Sequence, residues 1–176
     1  MLFREAQSTE LDAVLRTHKR AFRQDDEAIL VDSLLRDTSA QPFLSVVAES
    51  EGEIAGHALF TSLTLVGSQT PTGCSILAPL AVLPKYQRSG VGRGLIDFGC
   101  KLLAERSIDL VFVLGDPQYY TRSGFTPAVA YGLHAPYAIE PEDAWMVCPL
   151  RPQVLGNVHG TVRCAQALAA EQYWRE

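Results

Sequence analysis

No CxxC pair and no His-spaced quartet occurs among the four cysteines, Cys74, Cys100, Cys148 and Cys164, which excludes the usual zinc-site and redox-dithiol spacings. Reduced, mostly buried thiols and no metal are expected. Positive charge is scarce as well: 15 Lys and Arg stand against 20 Asp and Glu, a net charge of −5. This argues against a general polyanion binder and no nucleic-acid partner is expected, because that affinity rests on many cationic contacts to phosphates, although a local basic cluster could still exist. Low-complexity tracts, internal repeats and linkers rich in Pro, Gly or Ser are missing, so nothing marks a second domain. The opening residues Met1 to Glu5 lack the apolar stretch of a secretory signal, and a cytoplasmic location is expected. Residues 54 to 84 lack every Asp, Glu, Lys and Arg, yet Gly56, Gly67, Ser68, Gln69, Pro71 and Gly73 cut the stretch into pieces too short to span a bilayer. Two buried strands joined by a turn are expected there, with no membrane partner.

What is present is an apolar fraction of 47% over 176 residues, enough for one domain to bury its own core. We read residues 1–176 as a single domain with a core over about 1–150 and a C-terminal extension over 151–176. Residues 2 to 6 read as a strand. Ser8 or Thr9 then caps a helix carrying Leu11, Val14, Leu15 and Phe22, and a second helix starts at the acidic run Asp25, Asp26, Glu27. "FLSVVAES", "IAGHALFTSLTLVG" and "CSILAPLAVLP" have the β-branched content of an antiparallel meander. A helix to about Arg106 leads into "LVFVLG", a run typical of a buried strand. Strand, helix, strand implies a right-handed crossover and a parallel pair. A short helix at "DPQYYTRSG" and a late strand at "AWMVCPL" complete the pattern.

Between the last meander strand and the long helix stands "QRSGVGRG". A helix start exposes N–H groups without intrahelical acceptors and is electropositive, which makes it an anion site. Gly90, Gly92 and Gly94 clear side chains from the path of a pyrophosphate, or alternatively open a tightly packed helix. Between Ile54 and Ile96 the ionisable Lys, Arg, Asp and Glu side chains are Lys85, Arg88 and Arg93, a wholly positive patch. The spacing is neither GxxxxGK[ST] nor GxGxxG, since residue 95 is Leu, and this disfavours nucleoside triphosphatases and dinucleotide dehydrogenases.

"LAVLPKYQRSGVGRGLI" resembles motif A of the GCN5-related N-acetyltransferases (GNAT), Q/R-x-x-G-x-G/A, and "GDPQYYTRSGF" resembles their motif B, in which a Tyr stands four residues before a Gly-Phe pair. "GHALF" and the late "GTVR" are similar to the YhbS-like branch of that superfamily. The resemblance spans most of the chain. It implies an α/β (α+β mixed sheet) fold, a central mostly antiparallel sheet with one splayed parallel strand pair, residues 74–83 and 109–115, flanked by helices. It further implies acetyl-CoA as cosubstrate in the gap. The main chain of Leu80, Ala81 and Val82 would meet pantetheine, and Gln87, Arg88, Ser89, Gly90, Val91, Gly92 and Arg93 would hold the pyrophosphate. Lys85, Arg88 and Arg93 are candidates for outer phosphate contacts. Homodimers are common among relatives, and the sequence leaves that open.

The function implied is an N-acetyltransferase acting by direct attack of a primary amine, of a small molecule or a protein, on acetyl-CoA. The alternatives are a non-catalytic acyl-CoA binding or sensing module and a general nucleotide or phosphate binder. By the resemblance, Tyr120 is the catalytic candidate: a phenol can hydrogen-bond or protonate the departing thiolate. Tyr119 reads as core. Asp116 either contacts pantetheine or caps the next helix. Acetyl transfer also needs a donor to the developing oxyanion, with the Val82 N–H the candidate, and a neutral amine. Glu49, Glu51 and His57 are candidate bases, each equally readable as a solvated carboxylate or a hydrogen-bonded core histidine, and His159 has less support. The acceptor shows no motif, although Asp25, Asp26, Glu27, Glu140, Glu142 and Asp143 could attract a cation.

Overall fold

The charge-free stretch folds as the strands that its β-branched and apolar content predicts. In the computed structural model, which describes residues 1–175, β2 (Leu44–Ser50), β3 (Glu53–Val66) and β4 (Cys74–Val82) form an antiparallel meander, with β1 (Leu2–Glu5) antiparallel to β2. Beyond β4 come β5 (Leu110–Leu114) and β8 (Trp145–Pro149), then β6 (Thr126–Pro127). Among the described residues the sheet order is β1-β2-β3-β4-β5-β8-β6.

Both faces of this sheet are covered, which is why the strands carry so little charge. Successive residues point to opposite faces. Thus Leu59, Ile76 and Phe112 face α1 (Leu11–Phe22) and α2 (Asp26–Arg36), whereas Phe60, Leu77 and Val111 face α3 (Val91–Glu105). The cap of α1 differs from the sequence expectation. Ser8 to Glu10 form a separate turn, and the Glu10 carboxylate, rather than Ser8 or Thr9, accepts the Gln7 N–H at 2.8 Å while pairing with Arg4.

Two irregularities shape the centre. Ala58 pairs with Leu80 but Phe60 with Leu77, so β4 takes three steps where β3 takes two and bulges at Ala78–Pro79. The parallel pairing of β4 with β5 covers Cys74–Ile76 against Leu110–Phe112. From Leu77 and Val113 onward the two strands share no register among the described residues, and the expected splay opens there.

The tail packs into the same core. β9 (Gly160–Arg163) pairs antiparallel with Thr64–Val66 and parallel with β7 (Leu133–His134). Farther on, the Ala167 N–H donates to Asp37 Oδ2 at 2.9 Å, and the buried Trp174 ring meets Trp145 edge-on at 5.5 Å. Trp145 in turn stacks on Phe112 at 5.1 Å. Glu176, the last residue of the extension, lies outside the described residues.

Candidate active site

The backbone between β4 and α3 is bent by two left-handed residues, Arg88 (φ 60) and Gly90 (φ 88). Glycine adopts this conformation without strain, and no atom of the described residues lies within 4 Å of where a Gly90 Cβ would stand, so conformation is what requires glycine here. Pro84 opens the preceding turn, and the Ser89 hydroxyl donates to the Tyr86 carbonyl. Helical bonding starts with the Gly94 N–H donating to the Gly90 carbonyl at 2.9 Å. The N–H groups of Val91, Gly92 and Arg93 therefore precede the first helical donor, and among the described residues no side chain caps them. Uncapped N–H groups at a helix start can hold an anion.

These N–H groups open into a cavity of about 830 Å³ beside the splayed strands. Leu80, Val82, Gln87, Arg88, Gly90, Val91, Gly92, Arg93 and Tyr120 all line it, joined by Tyr119 and Arg122, which the sequence reading did not place there. Strand alternation decides which main-chain groups face it. The Leu83 N–H bonds to Ala55 in β3 at 2.8 Å, so Ala81 also turns its polar groups to β3, while Leu80 and Val82 turn theirs to the gap. Ala81 is buried and outside the cavity lining, contrary to the expectation that it meets a ligand. The Val82 carbonyl already accepts the Gln87 side-chain N–H at 3.0 Å, which ties the loop to the strand.

A second cleft, about 380 Å³, lies on the other side of the splay between Phe22, Glu27, residues 76–80, Leu114 and the tail. Leu80 and Tyr120 belong to both cavities. Tyr120 is half-buried, edge-on to Phe125 at 5.7 Å and to Tyr119 at 4.9 Å. Gly115 gives its ring room, since a Cβ there would come within 2.4 Å of Tyr120 Cε2. The bulge of β4 is adjacent: Pro79 supplies no N–H, and the next gap-facing donors are Leu80 and Val82.

Several expected residues stand elsewhere. Gly94 does not clear a phosphate path, for a Cβ there would meet the Phe3 ring at 2.2 Å; it is a packing glycine. The space over Gly92 holds the Tyr119 hydroxyl, 2.0 Å from where a Cβ would be, and Tyr119 is 40% exposed rather than core. Lys85 lies on Glu53 at 2.6 Å and outside the cavity lining, so the outer cations of the cavity are Arg88, Arg93 and Arg122. Asp116 caps α4 (Pro117–Tyr120), its Oδ1 accepting the Gln118 N–H at 2.9 Å. Ser89 is likewise absent from the lining.

None of the candidate bases borders either cavity. Glu49 pairs with Arg4 at 2.8 Å, Glu51 sits in the exposed β2–β3 turn, and the His159 Nδ1 lies 3.1 Å from the Tyr131 carbonyl. His57 is fully buried, with Nδ1 2.8 Å from His18 Nε2 and Nε2 2.7 Å from Ser45 Oγ. Burial, then the neighbouring His18, pushes its pKa well below the ordinary histidine value. It is a hydrogen-bonded core histidine. Among the described residues no group of three or more His, Cys, Asp or Glu is placed to hold a metal ion, and no helix is long and apolar enough to cross a membrane.

Comparison with known proteins accords with this geometry. The family model described as an acetyltransferase (GNAT) domain matches residues 3–128. The uncharacterized N-acetyltransferase YjhQ of Escherichia coli K12 is 46% identical over 149 residues, covering 83% of this chain and 82% of that protein. YhbS of the same strain is 35% identical over 153 residues, 86% and 87% of the two chains. The crystal structure of E. coli YhbS in complex with CoA superposes with a TM-score of 0.85 at 30% identity, over 96% of this chain and 92% of that one. A Brucella melitensis GNAT acetyltransferase in complex with acetyl-CoA gives 0.75 at 26% identity, over 95% and 97%. With the family's two motifs on one cavity and its splayed parallel pair in place, this chain belongs to the GNAT acetyltransferases, in their YhbS-like branch.

Proposed function

We propose that the chain transfers the acetyl group of acetyl-CoA to a primary amine by direct attack. One observation carries this reading: the cavity that starts at the uncapped N–H groups of Val91 to Arg93 ends at Leu80 and Tyr120, where a separate cleft meets it. A pyrophosphate fits the helix start, and a pantetheine arm fits the gap, where Leu80 and Val82 present main-chain groups as an edge strand does to an added one. Arg88, Arg93 and Arg122 suit the outer phosphate. The thioester would then sit at the junction of the two cavities.

There the chain's own groups meet the demands of acyl transfer. Charge develops on the carbonyl oxygen, and the gap-facing N–H groups of Leu80 and Val82 are the main-chain donors at hand; losing one such donor typically costs about 100–1,000-fold in turnover. Tyr120 serves the leaving group. Its proton need not transfer completely, since a phenol near pH 10 is a weaker acid than a thiol near 8.5, and hydrogen bonding to the thiolate is the larger part of its contribution. The cleft beyond Tyr120 receives the amine.

The test is titration calorimetry with acetyl-CoA followed by CoA release in the presence of amines. Saturable binding with amine-dependent release is expected. Binding without release would make the chain an acyl-CoA sensor, and equal competition by ATP would make it a general phosphate binder.

A further inference from the structure

On the reading that the second cleft takes the amine, its walls select which amine. It is lined by apolar side chains of β4 and β5, by Phe22 at the end of α1, and by Tyr173 and Trp174 of the tail. Among the described residues its charged groups are one carboxylate, Glu27, and one guanidinium, Arg175. Both Glu27 oxygens accept from the Gln24 amide, at 2.9 and 3.1 Å, a neutral partner that fixes the carboxylate without cancelling its charge. Among the described residues no Lys, Arg or His lies within salt-bridge range of Glu27. An adjoining cavity of about 540 Å³ continues past Glu27 and Tyr173 to Asp26 and the exposed Ile29.

We infer that this cleft is the acceptor site for a small monocationic primary amine with an apolar or aromatic body, and that Glu27 is its specificity-determining residue. Glu27, whose carboxylate makes no ion pair among the described residues, shares the cleft with the Phe22 and Tyr173 rings and matches a single ammonium, which aromatic faces also attract. Arg175 opposes a second positive charge, so a polyamine or a multiply cationic sugar is disfavoured. The cleft volume suits a small ligand, and the docked tail forms one of its walls, which leaves little room for a folded protein's terminus. The apolar wall of Leu77, Leu80, Leu114 and Leu168 accommodates the body of the amine.

The experiment uses the full chain with acetyl-CoA and four probes: 2-phenylethylamine, free phenylalanine, spermidine and a short peptide with a free N-terminal alanine. Thiol release and product mass are the readouts. Phenylethylamine is expected to give the highest kcat/KM. Glu27→Gln should raise its KM about 10- to 100-fold, the loss of one charge-assisted hydrogen bond, with acetyl-CoA affinity unchanged. Glu27→Asp should recover part of the loss. An unchanged KM in Glu27→Gln, or preference for any of the other three probes, overturns the assignment while leaving acetyl transfer intact. Acetyl-CoA binding without turnover of any probe overturns this assignment and the transfer reading together.

Discussion

With Leu80, Tyr120 borders both cavities, and in the proposed function the chemistry converges on it. Tyr120→Phe keeps the ring contacts with Phe125 and the room left by Gly115, and removes only the hydroxyl. Turnover should fall about 10- to 1,000-fold with the acetyl-CoA dissociation constant nearly unchanged. Steady-state kinetics beside calorimetry check this, and an undiminished turnover number would remove Tyr120 from the mechanism. The neighbouring tyrosine shows what a motif leaves undecided. The sequence reading made Tyr119 core, yet its ring lines the cavity with the hydroxyl against Gly92, because a four-residue helix presents consecutive side chains in directions that periodicity does not resolve.

At the scale of elements, the loop and the start of α3 divide their glycines between two duties. Gly90 is held at φ 88, where a β-branched residue is strained by about 1–3 kcal/mol, and it adjoins the N–H groups assigned to the pyrophosphate. Gly90→Val should weaken acetyl-CoA binding at least about tenfold by calorimetry. Gly94 instead gives way to the Phe3 ring of β1. Gly94→Val should lower stability by about 1–3 kcal/mol in urea denaturation and leave acetyl-CoA affinity near that of the native chain. Equal losses of binding in the two variants would refute this division. Spacing alone made the two glycines equivalent, and only the β1 strand lying across α3 separates them.

For the molecule as a whole, the buried pair between α1 and the sheet ties stability to pH. Burial holds His18 at about 4, against roughly 6.5 in an unfolded chain. Between those values the unfolded state binds a proton that the folded state excludes. Stability is therefore fully present above about pH 6.5 and falls as the pH drops toward 4, by roughly 3 kcal/mol at His18. His57, shifted in the same direction by its burial, adds to the loss. Urea midpoints at pH 7.5, 6 and 5 should decrease in that order, and His18→Gln should flatten the trend. A midpoint indifferent to pH, or an equal slope in the variant, would contradict this account.

Local physics was enough for the meander, the buried run at Leu110–Leu114, the helix after the glycine loop and its uncapped start, because periodicity, glycine conformation and uncapped N–H groups are properties of short segments. Long-range packing decided the rest. It turned Ala81 toward β3 and Lys85 toward Glu53, sealed His57 against His18, brought Arg122 to the cavity, and set Glu27 and the tail's aromatic rings around one cleft. Residues 27 and 173 are far apart in the chain and share a site only because the tail docks against α2 and the core, burying Trp174. The proposed acceptor cleft therefore leaves no motif in the sequence, since its walls come from segments that meet only after folding.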